Sequence, residues 1–377
     1  MEDSKRIDFL DTLRSFIILL VILYHVTIHY VAPFQLPAFV HNTFPKESGP
    51  LFGIIFWLIN GQTLNAIMFF IAGYFALAPL MRKGASGFFK EKLIHIGLPY
   101  LIGVVVLTPL ASFIAYRSWG NRMDYLKYWF FEFFKPQHYL QYQFWFLGVL
   151  WCFFLVVGLA FLLFKNRVAA MKIKAGKPSP LFLGGFIAIT TGMYMGVEHF
   201  FPGVMFTNLY VIYFQTVMLL VYAAYFFLGI LAYQNDWFKS GYRPKMMPWT
   251  PIYIVATLGY VVLLMSVFGH RRGLNLDFIL PVLDLSLNVS IFSALLMSLA
   301  FFQKHFSGAG PVLREISKSS YSTYIIHYLV VYIIIYTSNA IPVPLLLKYT
   351  AQVVIGVSIS WGIGYFLKKT PGVNRIV

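Results

Sequence analysis

The sequence predicts an all-α, polytopic membrane protein of about ten transmembrane helices with both termini in the cytoplasm. Three observations carry that reading. Hydrophobic residues make up 59% of the 377 and charged residues only 11%, where a soluble domain needs roughly 25% charge to keep its surface wet. Mean hydropathy is +0.73, and the apolar residues gather into runs of about 20, the length that crosses a bilayer as a helix. Lysine and arginine fall unevenly on the loops between those runs.

The runs lie at 10–33, 51–80, 93–116, 143–164, 181–197, 208–233, 251–268, 278–302, 321–341 and 349–367. Pro99 and Pro109 fall inside the third and should kink it unless neighbours satisfy the freed carbonyls. No polar stretch is long enough for a separate soluble domain, so residues 1–377 read as one membrane domain. The segment 165–177, followed by Pro178 and Pro180, is the best linker, dividing four helices from six.

With the N-terminus inside, the inner segments hold 20 of the 29 Lys and Arg, the outer segments hold 8, and Arg14 lies within the first helix. The positive-inside rule then places both ends in the cytoplasm and points to the inner (cytoplasmic) membrane. The same distribution explains a net charge of +16 through the lipid bilayer, without nucleic acid. The first run starts basic, like a signal peptide, but carries Asp11, Arg14, His25 and His29 and has no small-residue cleavage site, so it reads as retained. Cys152 is the single cysteine and sits in an apolar run; it cannot form an internal disulfide and reads as packing.

Ionisable groups within a bilayer cost roughly 2.5–3.5 kcal/mol each on insertion scales and mark candidate sites. Arg14 and His25 are eleven residues apart, about three helical turns, so they share a face with an axial separation of about 16 Å. Asp11 is one turn before Arg14, in range of an ion pair. A guanidinium binds phosphate or carboxylate with a rigid fork. An imidazole activates a hydroxyl or is itself acylated. A thin thioester could anchor its phosphates near Arg14 and extend toward His25. The structural alternative is that Arg14 snorkels and His25 bonds a neighbouring helix. His29, one turn after His25, has metal-ligand spacing but no third ligand nearby, and no metal site is expected.

The stretch Arg6-Ile-Asp-Phe-Leu-Asp11-Thr-Leu-Arg14, followed by His25, resembles the opening of the acyltransferase 3 family of membrane proteins, whose mark is Arg, ten residues, His. The resemblance continues through Phe69-Phe-Ile-Ala-Gly-Tyr-Phe75, Lys92-Leu-Ile-His95-Ile-Gly-Leu-Pro99, Phe144-Trp-Phe-Leu147 and Tyr321-Ser-Thr-Tyr-Ile-Ile-His327. Lys92 and His95 stand where that family often has two arginines; Lys contacts phosphate as a point charge, without the bidentate fork. Within the family, Phe214-Gln215-Thr and Phe227-Leu-Gly-Ile-Leu-Ala-Tyr233 are similar to the glucan biosynthesis protein C group. What the resemblance implies is acyl-CoA as donor inside, a carbohydrate hydroxyl as acceptor outside, and His25 near the transfer point.

Other polar features have two readings. Tyr324 lies one turn before His327 on the same face, as part of a donor path or as an inter-helix bond. Asn60, Gln62 and Asn65 read as glue between helices. Residues 128–146 hold 11 aromatics in 19 positions, which suits an interfacial segment better than a sugar platform. Motifs of soluble acyltransferases, serine esterases, P-loop and dinucleotide enzymes are absent.

The sequence therefore predicts a membrane-bound O-acyltransferase, transferring an acetyl or succinyl group to a carbohydrate such as a periplasmic glucan, with acyl-CoA as donor substrate and no permanently bound cofactor. His25, Arg14 and Asp11 are the expected catalytic set, and Lys92, His95, Tyr324 and His327 the expected substrate contacts. The rival reading is a transporter or flippase using Asp11, Arg14 and His25 as a proton or substrate path; no internal repeat of the kind many transporters show is visible.

Overall fold

The computed structural model describes residues 7–31, 50–118, 120–136, 138–170, 177–268, 275–308 and 310–376. Most of them are helical. The helices are α1 (Asp8–Thr27), α2 (Pro50–Ile59), α3 (Gly61–Tyr74), α4 (Leu77–Ser118), α5 (Phe144–Ala170), α6 (Pro180–Phe200), α7 (Leu219–Gln234), α8 (Met246–Phe268), α9 (Leu276–His305), α10 (Pro311–Ser338) and α11 (Leu345–Lys369). Among the described residues, nine segments are long and apolar enough to cross a membrane, α2 and α3 counting as one.

The sixth expected crossing is the exception. Its run opens not as helix but as a two-stranded antiparallel hairpin, Phe206–Asn208 against Tyr213–Gln215. The helix that follows, α7, has only 16 residues, about 24 Å at 1.5 Å per residue. Hydropathy alone cannot separate apolar hairpin from apolar helix. The ninth expected helix also differs. It begins at Pro311 rather than near 321, because Arg314, Glu315 and Lys318 interrupt the apolar run without interrupting the helix. The first helix ends at Thr27, with a turn to Tyr30. The expected linker is helical as far as Ala170, and residues 171–176 lie outside the described ones.

Local chemistry explains several boundaries. Ser179 accepts from the Phe182 amide at 3.1 Å, with Pro180 at the first helical position, and so starts α6. Asn60, with φ 40°, splits the second run by capping α3: its side chain accepts from the Gln62 amide at 3.1 Å. The two prolines of α4 do not break it. A π turn, Leu93–Gly97, precedes Pro99, and another, Gly103–Leu107, precedes Pro109. Pro99 has no N–H for the His95 carbonyl, and the Tyr321 hydroxyl donates to that carbonyl instead, at 2.5 Å.

Helix α1 lies in the middle of the bundle, packed against α10, α11, α3 and α9. Helices α3 and α7 touch through their backbones: a Cβ at Gly73 would meet the Phe226 carbonyl oxygen at 1.9 Å, and one at Gly229 the Phe70 carbonyl oxygen at 2.0 Å. Small residues at such crossings allow the close packing that holds helices together where lipid replaces water. The aromatic segment after α4 has two sides. Leu126, Phe130, Phe131 and Phe134 are exposed, while Tyr128, Phe133 and Tyr139 are buried in the core.

Candidate active site

The first residue of the site is Arg14, six residues into α1. Its guanidinium pairs with Asp11 at 3.1 Å and donates to the Ser317 carbonyl of α10 at 3.4 Å. Beside it, Ser15 donates to Ser317 Oγ at 3.1 Å. Together these tie the first turns of α1 and α10 and fix the direction of the guanidinium. Asp11 acts on Arg14, as its spacing predicts, and does not itself line the cavity described next.

A cavity of about 240 Å³ opens beside Arg14. Its walls come from α1 (Arg14, Ile18), α3 (Met68, Ile71, Ala72, Phe75), α4 (Lys92, His95, Ile96), α5 (Phe146, Leu147, Leu150, Phe154) and α10 (Ser320, Tyr321, Tyr324). Four residues singled out from the sequence, Arg14, Lys92, His95 and Tyr324, thus converge on one cavity from three helices. The lining is mainly apolar, with the cationic groups toward the Arg14 end of the helices.

Those groups are held in place. The Lys92 ammonium sits over the rings of Phe154 and Phe88, 4.5 and 5.4 Å from their centroids, and 3.7 Å from Glu91. Glu91 also pairs with Lys83 at 2.5 Å. His95 Nδ1 donates to the Ile376 carbonyl at 3.2 Å, so the last turn of the chain rests against the cavity. The π turn at Leu93–Gly97 widens α4 between Lys92 and His95, a local irregularity of the kind common at functional sites.

At its deep end the cavity is bounded by Tyr324, whose hydroxyl donates to the Gln143 carbonyl. Gln143 returns a bond from Nε2 to the Ile325 carbonyl at 3.1 Å. Behind Tyr324 stands His327, ring centroids 5.6 Å apart, and behind His327 stands His25, 5.3 Å away. His327 Nδ1 lies 2.6 Å from the Tyr324 carbonyl. A carbonyl only accepts, so Nδ1 carries the proton and Nε2 the lone pair. That Nε2 is buried and has no hydrogen-bond partner among the described residues, and the same holds for His25 Nδ1. The Tyr328 ring meets His25 edge-on at 4.7 Å and stacks on Tyr142 at 4.6 Å. Tyr142 adopts φ 41°, which L side chains rarely do.

His25 and His327 do not line the cavity; they stand behind its Tyr324 wall. The path from Arg14 through the cavity to the two imidazoles covers about 16 Å along α1. Gln143, Tyr321 and Tyr328 were not singled out from composition or spacing. The buried Gln141 and Gln143 amid a run of aromatics were the available signal for the first. His29 packs on the Tyr332 ring at 5.4 Å, and no cluster of three His, Cys, Asp or Glu suited to a metal ion occurs among the described residues. Asn60 turned out to be a helix cap.

Comparison with known proteins gives one match. No curated protein and no solved structure matches the chain. The profile of the acyltransferase 3 family, described as an acyltransferase domain, matches residues 7–365, the whole bundle with its Arg14–His25 helix, its cavity and its paired imidazoles. The chain belongs to this acyltransferase family of multi-pass membrane proteins.

Proposed function

We propose that the protein transfers an acyl group, acetyl or succinyl, from coenzyme A on the cytoplasmic side of the inner membrane to a hydroxyl of an extracytoplasmic carbohydrate. A periplasmic glucan is the acceptor suggested by the similarity to the glucan biosynthesis protein C group. One observation carries the reading: Arg14, Lys92 and His95 meet at one end of a narrow apolar cavity whose other end is walled by Tyr324, with His327 and then His25 stacked behind that wall. At about 240 Å³ the cavity is smaller than the roughly 300–1,000 Å³ that enclose a whole drug-sized ligand. That size suits a slender pantetheine arm whose nucleotide end stays outside, against the basic groups.

In this reading Arg14, steadied by Asp11, and Lys92 hold phosphates. The acceptor hydroxyl loses its proton to His25 as its oxygen attacks the thioester carbonyl. The C–S bond then breaks, and the proton passes to the departing thiolate. If the imidazole is acylated first, the same atoms are exchanged in two steps. His327, its tautomer fixed by the Tyr324 carbonyl, presents a lone pair beside His25 and orients substrate there.

The test is direct. Purified protein with a periplasmic glucan should consume labelled succinyl-CoA or acetyl-CoA and label the glucan. Free coenzyme A should raise the melting temperature by mass action, less so in Arg14→Ala and Lys92→Ala. Consumption of neither thioester would sink the reading, and an equal melting shift in all three proteins would remove both residues from the donor site.

A further inference from the structure

We propose that Tyr142 and Gln143, consecutive residues of the loop before α5, are a positioning pair that holds His25 and His327 in place for acyl transfer. The inference rests on the transferase reading and adds the part of the chain that sets the geometry of the imidazoles. Neither residue lines the donor cavity. Gln143 is only 5% exposed and sends two polar groups to one turn of α10. Its main-chain carbonyl accepts from the Tyr324 hydroxyl, and its Nε2 donates to the Ile325 carbonyl at 3.1 Å. Helix α10 runs unbroken from Pro311 to Ser338, so the Ile325 carbonyl already has the helix's own N–H four residues on, and Gln143 fills no gap there. What the two bonds fix is the direction of that turn. The same turn holds His327, whose Nδ1 donates to the Tyr324 carbonyl at 2.6 Å. Successive carbonyls of α10 thus carry the imidazole of His327 and the amide of Gln143.

Tyr142 supplies an independent observation. Its φ of 41° is a conformation that a non-glycine residue keeps only where its surroundings over-determine it, and such residues gather at functional sites. The Phe144 amide donates to the Gln141 carbonyl at 2.8 Å, which closes a four-residue turn with Tyr142 and Gln143 in its middle. That turn lays the Tyr142 ring on Tyr328, centroids 4.6 Å apart, and Tyr328 meets His25 edge-on at 4.7 Å. Two adjacent residues therefore brace two facing imidazoles by separate routes, Tyr142 through Tyr328 to His25 and Gln143 through Tyr324 to His327. The imidazole centroids are 5.3 Å apart. A misplacement of about 1 Å at such a site costs on the order of 10²-fold in rate.

Steady-state transfer from labelled acetyl-CoA or succinyl-CoA to a periplasmic glucan, by full-length protein in detergent, tests this. Gln143→Met keeps the length of the side chain and loses the amide. It should lower kcat about 10–100-fold while KM for the thioester and the melting shift given by coenzyme A stay near wild type. Against the residual transfer of His327→Ala, the same substitution should cost less than about twofold, because the group that Gln143 holds is gone. Tyr142→Phe keeps the ring and should transfer near the wild-type rate, whereas Tyr142→Leu should lose about tenfold or more in kcat. An unchanged kcat in Gln143→Met, an equal fold-loss with and without His327, or a Tyr142→Leu variant as active as Tyr142→Phe overturns the inference. If Gln143→Met does not fold, the comparison at position 142 decides. Wild-type protein that consumes neither thioester ends the transferase reading and this one with it; wild-type transfer beside an unaltered Gln143→Met ends only this one.

Discussion

At the scale of single residues, the decisive question is whether His25 takes a proton or only packs. It is buried between His327 and Tyr328, and its Nδ1 has no hydrogen-bond partner among the described residues. General-base catalysis contributes typically 10²–10⁴-fold, so His25→Ala should lose about that much transfer while coenzyme A still raises the melting temperature. Asparagine keeps hydrogen bonding but takes no proton at neutral pH, so His25→Asn should be as inactive as alanine; near wild-type transfer by it would reduce His25 to packing. His29→Ala should cost much less. Arg14 and His25 were legible in the sequence because helical periodicity alone puts them on one face. The nearness of His327 to His25 was not legible, since it depends on how α10 crosses α1, over a separation of 302 residues. Neither was the brace from Gln143 to Tyr324, which joins a loop to a helix.

At the scale of elements, proline and glycine set the shape of the donor cavity. Pro99 would kink α4 unless a neighbour took the freed carbonyl; a π turn absorbs the extra residue and the Tyr321 hydroxyl takes the freed His95 carbonyl. Tyr321→Phe removes one hydrogen bond and should destabilise the fold by about 0.5–1.5 kcal/mol, and it should also weaken coenzyme A binding, because Tyr321 and His95 face the same cavity. A loss of stability with unchanged coenzyme A affinity would separate the brace from the site. The α3–α7 crossing is less forgiving. A methyl at Gly229 would lie 2.0 Å from a backbone oxygen, which cannot rotate away, so Gly229→Ala should cost at least about 1–3 kcal/mol, measured by denaturation in detergent. The apolar runs located most helices, because length and hydropathy are local properties. They failed at residues 208–218, where the chain is apolar but paired as a hairpin, and at the start of α10, where charged residues belong to the helix but not to the run.

At the scale of the whole molecule, the direction in which the bundle sits decides which chemistry it can do. The cavity opens at the Arg14 end and the imidazoles stand near the other, so acyl-CoA reaches it only if the Arg14 end faces the cytoplasm. The loop charges favour that orientation, 20 Lys and Arg against 8, and the structure keeps the alternation on which the count rests. The N-termini of α1 and α10 meet at Arg14 and Ser317, and Phe16 of α1 packs on Phe302 near the C-terminus of α9, so α9 runs opposite to both. This holds only if the 16-residue α7 also crosses, its apolar hairpin completing the distance that the helix alone does not span. A cysteine placed at the exposed Arg122, in a background where Cys152 is serine, should react with an impermeant thiol reagent added to intact cells whose outer membrane is opened. Cysteines at Lys239 and Lys369 should react only after the inner membrane is permeabilised. Reaction of Arg122→Cys only after that step would turn the whole bundle over. Reaction of both the Lys239 and the Lys369 sites from outside, together with the Arg122 site, would show instead that α7 does not cross.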